Sequence, residues 1–293
     1  MPWILLSLKT DSDHARQVED ALTDNGALSV TAIDAADQPL LEPGPGETPL
    51  WDQLILTGLF SDDSDMDQVQ SGLKYSLKLD ELPGIRIQPL EDRQWTRTWM
   101  EHFKPMKFGD RLWVCPEGFA TPDPGAVNIR LDPGLAFGTG THPTTALCLE
   151  WLDSQDLHGA KVLDYGCGSG ILAIAALLLD SENVWAVDND PQALIATMDN
   201  AIKNRVAGRI ISCLPDALPT AQADVCMANI LAGPLTSLAP TLARQTRAKG
   251  KLILSGILCE QAAEVNQCYG QWFDMHEPVI KEGWVRLEGF KKQ

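Results

Sequence analysis

A glycine-rich turn between an apolar strand and an apolar helix is the strongest chemical signal in this sequence. It closes the short apolar run that ends at Asp164 and reads Asp164-Tyr165-Gly166-Cys167-Gly168-Ser169-Gly170. Glycines at alternate positions let a backbone turn sharply and lie against a ligand, while the helix that follows directs free N–H groups into the same space. The turn therefore predicts a nucleotide-like ligand. A glycine-rich strand-to-helix turn that binds nothing is the alternative.

The spacing of the glycines distinguishes between two kinds of cofactor. The dinucleotide fingerprint G-x-G-x-x-G needs a glycine three residues after Gly168, and that position is Ile171. The pattern resembles instead the first motif of the S-adenosylmethionine-dependent methyltransferases with a Rossmann-like fold. This cofactor has an ammonium group, for which the Asp164 carboxylate is a suitable neighbour, and it has no pyrophosphate to neutralise.

Two further acidic residues are placed to bind an adenosine. Asp188 ends the next predicted strand, about 20 residues beyond the turn, where a carboxylate can accept both ribose hydroxyls. Its other possible role is to cap the following helix, which Asn189 or Asp190 can do instead. Asp216 follows the third predicted strand and can meet the adenine edge, although ordinary turn chemistry explains Asp216-Ala217-Leu218 equally well.

Asn229 closes the fourth predicted strand, at the sheet edge where open α/β proteins hold their reactants. Many amino-methylating enzymes have Asn-Pro-Pro-Tyr here, whereas this chain has Asn229-Ile230-Leu231-Ala232 and lacks the aromatic residue. The Asn229 side-chain oxygen and the Ile230 carbonyl can orient a neutral amine for in-line attack on a sulfonium methyl group. We therefore expect Asn229 to be the catalytic residue, and the sequence suggests no general base.

A loop rich in glycine and hydroxyl groups precedes the turn and runs into a helix predicted from about Pro143 to Leu152. Four threonines and a phenylalanine beside flexible glycines suit a lid over a ligand that is partly apolar and partly polar. Helix capping alone is the alternative. The loop reads Phe137-Gly138-Thr139-Gly140-Thr141-His142-Pro143-Thr144-Thr145.

The elements that must position these residues alternate between strand and helix, as in a doubly wound α/β domain. The last two strands, joined near Glu282-Gly283, are expected to form a hairpin at the sheet edge. The predicted strands are Lys161–Asp164, Val184–Val187, Arg209–Cys213, Asp224–Ala228, Lys251–Ser255, Phe273–Ile280 and Trp284–Phe290.

The first 90 residues predict a separate small domain. Their patterns give strand, helix, strand, strand, helix, strand, which is the ferredoxin-like α+β order. The first helix is predicted from Ser12 to Leu22 with Asp11 or Ser12 as a possible cap, and the second from Asp65 to Leu79 with a cap from residues 61–64. Trp95, Trp99 and Phe103 then lie on one stripe of a helix that Pro105 ends. We expect a ferredoxin-like substrate-recognition domain at 1–90, a linker helix at 91–105 and a methyltransferase domain at 106–293, beginning with two or three strands up to Leu131.

Charge and composition indicate the compartment and the partner. The 293 residues include 23 basic and 40 acidic side chains, a net charge of −17, and residues 1–90 hold 5 basic and 16 acidic residues, or −11 of it. Such a surface repels nucleic acid and attracts a basic partner. An acidic surface that merely aids solubility is the alternative, and the charge alone explains it at least as well. No apolar run spans a bilayer, no signal peptide is apparent, and the seven cysteines contain no C-x-x-C pair. We expect a cytoplasmic monomer without membrane contact or metal.

The lid loop, the glycine turn and Asn229-Ile230-Leu231-Ala232 together resemble the bacterial ribosomal protein L11 methyltransferase family over nearly the whole chain. The resemblance implies transfer of methyl groups from S-adenosylmethionine to lysine side-chain amino groups, and to the N-terminal amino group, of a basic large-subunit protein. It implies cofactor contacts at Thr145, Gly166, Asp188 and Asn229, with Phe137 and Thr139 close by. Together with the residues argued above, the predicted cofactor set is Phe137, Thr139, Thr145, Asp164, Gly166, Gly168, Asp188, Asp216 and Asn229.

Two other functions remain open at this level. An RNA or DNA methyltransferase would use the same cofactor site, although the acidic charge and the missing Pro-Pro-Tyr disfavour it. A cofactor-sensing or assembly protein would keep the fold without turnover, and the presence of both Asp188 and Asn229 disfavours that reading.

Overall fold

The chain divides into two compact units, Met1–Thr98 and Trp99–Gln293, in a computed structural model. The structure describes residues 3–36, 38, 50–90, 104–116, 118–131, 140–220 and 222–293. The predicted linker helix at 91–105 lies outside the described residues except for Lys104 and Pro105, which are not helical. The division falls within that predicted linker, and each unit is described separately below.

The first unit has the predicted order of strands and helices. Its four strands form one antiparallel sheet in the order β2-β3-β1-β4, so the first and third strands are the central pair. This is the strand order of a ferredoxin-like sheet. The elements are β1 (Trp3–Asp11), α1 (Ala15–Asp24), β2 (Ser29–Asp34), β3 (Gln53–Ser61), α2 (Met66–Leu77) and β4 (Arg86–Leu90).

Apolar side chains at alternate positions of the two central strands form the core of this unit. Leu6 and Leu8 of β1 and Leu54 and Leu56 of β3 point to one face, where they pack on the apolar stripes of both helices. Side chains at alternate strand positions share a face, which is why every second residue is apolar.

Both helix starts in the first unit differ from the sequence prediction. The first helix was expected from Ser12 but begins at Ala15, because the Asp11 side chain accepts hydrogen bonds from the His14 backbone N–H and ring and holds these residues in a turn. The second helix was expected to be capped from residues 61–64. Asp65 caps it instead, accepting from the N–H groups of Asp67 and Gln68 at 3.0 and 3.1 Å.

The second unit begins with a small three-stranded sheet, within the predicted number of two or three strands. Its central strand β6 (Leu112–Pro116) pairs antiparallel with β5 (Met106–Phe108) and parallel with β7 (Val127–Leu131). The buried Asp153 side chain accepts from the backbone N–H of Asp110 at 2.6 Å and so fixes the β5–β6 turn.

The main sheet has eight strands and confirms the doubly wound prediction. The order is β10-β9-β8-β11-β12-β15-β13, with β14 paired to β15; strands β8 to β12 run parallel and β15 runs antiparallel to β12. The elements are α3 (Pro143–Ser154), β8 (Lys161–Tyr165), α4 (Ile171–Leu178), β9 (Asn183–Val187), α5 (Pro191–Lys203), β10 (Ile210–Cys213), β11 (Ala223–Asn229), α6 (Ala232–Gln245), β12 (Thr246–Leu258), α7 (Ala262–Tyr269), β13 (Phe273–Met275), β14 (Val279–Lys281) and β15 (Trp284–Lys291).

One predicted strand is wrong. The stretch Phe273–Ile280 forms two strands, because the chain leaves the sheet after Met275 and re-enters at Val279 to pair with β15. The hairpin between β14 and β15 does turn at Glu282-Gly283, where φ is 51° and 81°. Positive φ at both central residues is the geometry of the tight hairpin turns that match strand twist.

Neither membrane spans nor metal clusters are found in the described ranges. Among those residues, no helix is long and apolar enough to cross a bilayer. Within the same ranges, no group of three His, Cys, Asp or Glu side chains is arranged to hold a metal ion.

Candidate active site

A cavity of about 650 Å³ opens at the carboxyl ends of the parallel strands. It lies where the strand order reverses, between β8 and β11, which is the position at which open α/β sheets bind ligands. Its wall is mostly apolar. The residues that line it are His142, Thr144, Tyr165, Gly166, Gly168, Asp188, Asn189, Pro215, Asn229, Ile230, Leu231, Pro234, Leu238, Gly256 and Trp284.

The glycine turn forms the floor of the cavity. The backbone N–H groups of Gly166 and Cys167 both donate to the Val187 carbonyl, at 2.7 and 3.0 Å, which folds the turn against the end of β9. Gly166 and Gly168 have φ of 80° and 54°, conformations that side chains disfavour. A Cβ at Gly166 would also overlap Cγ2 of Ile230, so this turn and the Asn229-Ile230 segment touch directly.

Asp188 is half-buried and links the glycine turn to the next helix. Its Oδ2 accepts from the Gly168 N–H at 2.9 Å, and its Oδ1 accepts from the Asp190 N–H at 3.0 Å. Asp190 caps α5 by accepting from Gln192 N–H at 2.9 Å. Asp190, and not Asp188, caps this helix. The Asp188 carboxylate therefore still has free lone pairs that can accept hydrogen bonds from a ligand in the cavity, which Asp188 lines.

Asp164 lies beneath this floor and not on the wall. It is 1% exposed, and its Oδ2 accepts from the Ala173 N–H in the first turn of α4 at 3.0 Å. Its Oδ1 has no hydrogen-bond partner among the described residues. Burial raises the pKa of the Asp164 carboxyl to about 7; the Ala173 N–H opposes this rise, whereas the charge of Asp188 adds to it. The ammonium contact predicted for Asp164 stays a prediction.

Asn229 stands on the cavity wall, supported from behind. Its Nδ2 lies 3.4 Å from Oγ1 of Thr145, a residue that is completely buried at the start of α3, while the adjacent Thr144 reaches the wall. The buried Ser255 hydroxyl lies 3.2 Å from the Thr144 carbonyl and 3.3 Å from the Val285 carbonyl. These contacts tie the helix start, β12 and β15 together around Asn229.

An aromatic pair closes the far end of the cavity. The rings of His142 and Trp284 meet edge to face with centroids 4.7 Å apart. Sequence reasoning missed Trp284, which lies 55 residues beyond Asn229 on an added hairpin strand. A tryptophan directly after the Glu282-Gly283 turn was the available signal, but only the strand order brings it beside the site.

The cavity extends well beyond the glycine turn. Asp188 follows β9, Asn229 ends β11 and Trp284 begins β15, so the wall crosses the ends of five neighbouring strands. With strands about 4.8 Å apart, this is a span of about 19 Å. Asn229 lies near its middle.

Asp216 does not line the cavity; it is exposed in the turn Pro215–Ala217, of which Pro215 lines the cavity. Phe137 and Thr139 lie outside the described residues, and the described part of the predicted lid begins at Gly140. The structure therefore gathers Gly166, Gly168, Asp188 and Asn229 around one space, with Thr145 directly behind it.

The cavity suits an elongated ligand whose polar end lies beside Asp188. The apolar end of the cavity, at Trp284, leaves space for a second molecule. Asp188 is the one carboxylate among the described lining residues, and none of them is lysine or arginine. A ribose fits beside Asp188, whereas a nucleotide phosphate would have no cation to meet. An acidic residue beside an uncharged, mostly apolar wall is consistent with an adenosine that carries no phosphate.

The comparisons with known proteins agree over the whole chain. A family model described as "Ribosomal protein L11 methyltransferase (PrmA)" matches residues 2–292. A ribosomal protein L11 methyltransferase of Marinobacter nauticus is 53% identical over 296 residues, covering 100% of this chain and 99% of the relative. One of Methylococcus capsulatus is 54% identical over 291 residues, covering 99% of each.

A solved structure is similar as well. The crystal structure of a ribosomal protein L11 methylase from Lactobacillus delbrueckii subsp. bulgaricus matches with a TM-score of 0.58 and 30% identity. The match covers 65% of this chain and 100% of that one.

Proposed function

Because the chain belongs to the ribosomal protein L11 methyltransferase family, we propose that it transfers methyl groups from S-adenosylmethionine to amino groups of that ribosomal protein. The acceptors are lysine side chains and the N-terminal amine. The single observation that carries the proposal is the match over the full length of relatives with this name, at more than half identity.

The cofactor is proposed to lie along the glycine turn with its adenosine toward Asp188. The Asp188 carboxylate accepts from the ribose hydroxyls, and Pro215 contacts the adenine side. Gly166 and Gly168 leave room for the middle of the cofactor, while Thr145 supports the site through Asn229. When bound, S-adenosylmethionine supplies an electrophilic methyl group on its sulfonium.

Asn229 is proposed to align the attacking amine. Its side-chain oxygen and the Ile230 carbonyl accept N–H bonds from a neutral amine, which leaves the nitrogen lone pair directed at the methyl group. Holding the two reactants in line supplies most of the rate in such a displacement. A lysine amine has a reference pKa near 10.4, and an apolar wall favours its neutral form because burial disfavours charge.

The part of the cavity beyond Asn229 is proposed to take the acceptor chain. It runs for about two strand spacings, or about 10 Å, to the aromatic pair His142 and Trp284. An unbranched aliphatic side chain can lie in this space with its amine at Asn229, because the wall there is apolar.

The first unit is proposed to capture the basic substrate. Its residues 1–90 carry a net charge of −11, whereas all the proposed cofactor residues belong to the second unit. The proposal places a monomeric enzyme in the cytoplasm, where its ribosomal substrate is made, and assigns it no direct contact with nucleic acid.

Intact-mass spectrometry tests this function. Purified ribosomal protein L11 is incubated with the enzyme and S-adenosylmethionine. The expected result is a set of added masses that are whole multiples of one methylene group. An unchanged mass under conditions where the enzyme binds the cofactor would overturn the proposal.

A further inference from the structure

Gly256 lies against the segment that carries the proposed reaction. It has a φ of 85°, lines the cavity, and belongs to β12, the strand beside Asn229. A Cβ at this position would overlap the Ile230 carbonyl oxygen and lie 2.8 Å from its carbonyl carbon and 3.1 Å from its nitrogen. All three of these atoms are backbone, so no side-chain rotation can relieve the overlap.

The strand is deformed at this point. Along β12 the pairing with β15 advances from Leu254 to Ile257, while the partner advances only from Leu287 to Val285. The extra residue makes a β-bulge that contains Ser255 and Gly256, here called the Ser255-Gly256 corner. Bulges bend a strand locally and often re-aim groups beside active sites.

The corner is fixed on both sides. The Ser255 hydroxyl is buried between the carbonyls of Thr144 and Val285, and the residue pairs in register with Asn229. The opposite side of Ile230 meets the glycine turn, since a Cβ on Gly166 would overlap its Cγ2. Ile230 is thus held between two glycines of positive φ, one in the turn after β8 and the other in β12.

We propose that Gly256 is a positioning residue for methyl transfer. By lacking a side chain it allows the Ile230 peptide to lie against the corner, and this contact sets where the Ile230 carbonyl and the adjacent Asn229 side chain face the acceptor amine. The inference rests on the proposed function of the cavity. Gly256 acts through Ile230 and is not itself expected to bind the cofactor.

A matched pair of variants separates this contact from backbone strain. Gly256→Ala adds a methyl group at φ 85° against Ile230. Gly159→Ala adds one at φ 70° in the turn before β8, where a Cβ meets no atom within 4 Å in the described chain. Gly159→Ala strains only its own backbone, whereas Gly256→Ala adds the overlap with Ile230 and should lower the melting temperature further. Only Gly256→Ala should move Ile230.

The kinetic readout is the division between turnover and cofactor affinity, measured on the full chain with purified ribosomal protein L11. A displacement of an ångström at the aligning groups lowers kcat by about a hundredfold. We expect that loss in Gly256→Ala, with cofactor Kd within about threefold of wild type, since the aligning contact acts in the transition state. Equal kcat in the two alanine variants would overturn the inference.

A second readout does not depend on activity. In protein labelled at isoleucine δ1 methyl groups, the NMR signal of Ile230, identified through Ile230→Val, should move in Gly256→Ala and stay in place in Gly159→Ala. An unmoved signal overturns the inference. A wild-type enzyme that transfers no methyl group refutes the proposed function instead, while the methyl signal still decides the contact.

A milder variant covers the case in which Gly256→Ala does not fold. Ser255→Ala adds no atom and removes only the hydroxyl that anchors the corner to Thr144 and Val285. It should lower kcat while the cofactor Kd is retained, and wild-type kcat in this variant would contradict the inference.

Discussion

At the scale of single residues, Asp188 is proposed to contribute most to cofactor affinity. Asp188→Asn keeps one acceptor oxygen but removes the charge that is proposed to hold the ribose. A hydrogen bond to a charged group contributes about 1.5–3 kcal/mol, so Kd for the cofactor should rise about ten- to a hundredfold. Calorimetric titration of S-adenosylhomocysteine measures this directly.

Asp190→Asn is the control for that experiment. It removes the same charge two residues away, and asparagine still caps α5. Cofactor affinity close to wild type is expected. If the two variants lose affinity equally, the effect is a general loss of negative charge and Asp188 is not a ligand.

The buried Asp164 should make stability depend on pH. Its carboxyl has a reference pKa of 3.8 and a folded-state pKa of about 7, so between these values the folded chain binds more protons than the unfolded chain. Stability from this group is therefore present at low pH and is lost as pH rises to 7. Asp164→Asn cannot ionise, so its unfolding free energy should gain on wild type by about 3 kcal/mol between pH 5 and pH 8.

Denaturant titrations of both proteins across that range, without cofactor, test the assignment. Other titrating groups cancel in the difference between the two proteins. A difference that stays constant from pH 5 to pH 8 would show that Asp164 is ionised throughout.

Trp284 should affect the substrate and not the cofactor. Trp284→Ala opens the far end of the cavity and removes its apolar wall, so KM for the ribosomal protein should rise about tenfold, equivalent to about 1.4 kcal/mol. Trp284→Phe keeps an aromatic wall and should stay near wild type. Steady-state kinetics measures KM for both variants. A changed cofactor Kd in Trp284→Ala would mean that Trp284 lies at the cofactor end of the cavity and not at the substrate end.

Site residues could be predicted from the sequence only where a recognisable motif lies at the end of a predicted strand. Gly166, Gly168, Asp188 and Asn229 each follow a strand that a short apolar run makes visible, and parallel strands bring such ends together. Gly256 carries no local signal, because its role depends on a bulge in β12. Trp284 has one local signal, its position directly after the Glu282-Gly283 turn, but only the pairing of the last strand brings it to the site. The burial of Asp164 likewise depends on how α4 begins.

At the scale of elements, the cap of α2 gives a test confined to the first unit. Asp65→Ala removes the acceptor for the N–H groups of Asp67 and Gln68. Loss of such a cap costs about 1 kcal/mol. Hydrogen exchange in peptides from α2 should therefore accelerate.

Asp63→Ala is the control, since Asp63 is an exposed neighbour in the same acidic cluster and Asp65 is the residue that accepts from the helix N–H groups. Exchange in α2 should remain as in the wild type. Acceleration of equal size in both variants would mean that the cluster acts through its charge and not through a capping hydrogen bond.

Element types were more predictable than element boundaries. Every strand of the parallel sheet was found from its apolar run, because both faces of such a strand are buried. The starts of α1 and α2 were misplaced, since Asp11, Ser12 and Asp65 are all good capping residues and only the tertiary structure selects one. The break at 276–278 was missed because Pro278 was the only local sign of it.

At the scale of the whole molecule, the acidic residues proposed to capture the substrate and the residues proposed to bind the cofactor belong to different units. This predicts that KM for the protein substrate depends on salt. The −11 charge of residues 1–90 is proposed to attract the basic substrate over distances that salt screens. KM for the ribosomal protein should rise between low and high ionic strength. For a short neutral peptide with one lysine, KM should change little, and equal salt dependence for both substrates would contradict capture by charge.

The proposed function requires that the enzyme methylates a basic ribosomal protein in this cavity and does not methylate nucleic acid. Methyl-labelled S-adenosylmethionine is added to a mixture of free ribosomal proteins and bulk RNA, with wild type or with Asn229→Ala. We predict label in one basic large-subunit protein with wild type, and a strong loss of that label with Asn229→Ala, whose cofactor Kd should stay within a few fold of the wild-type value. Label in the RNA, or full labelling of protein by Asn229→Ala, would contradict the account.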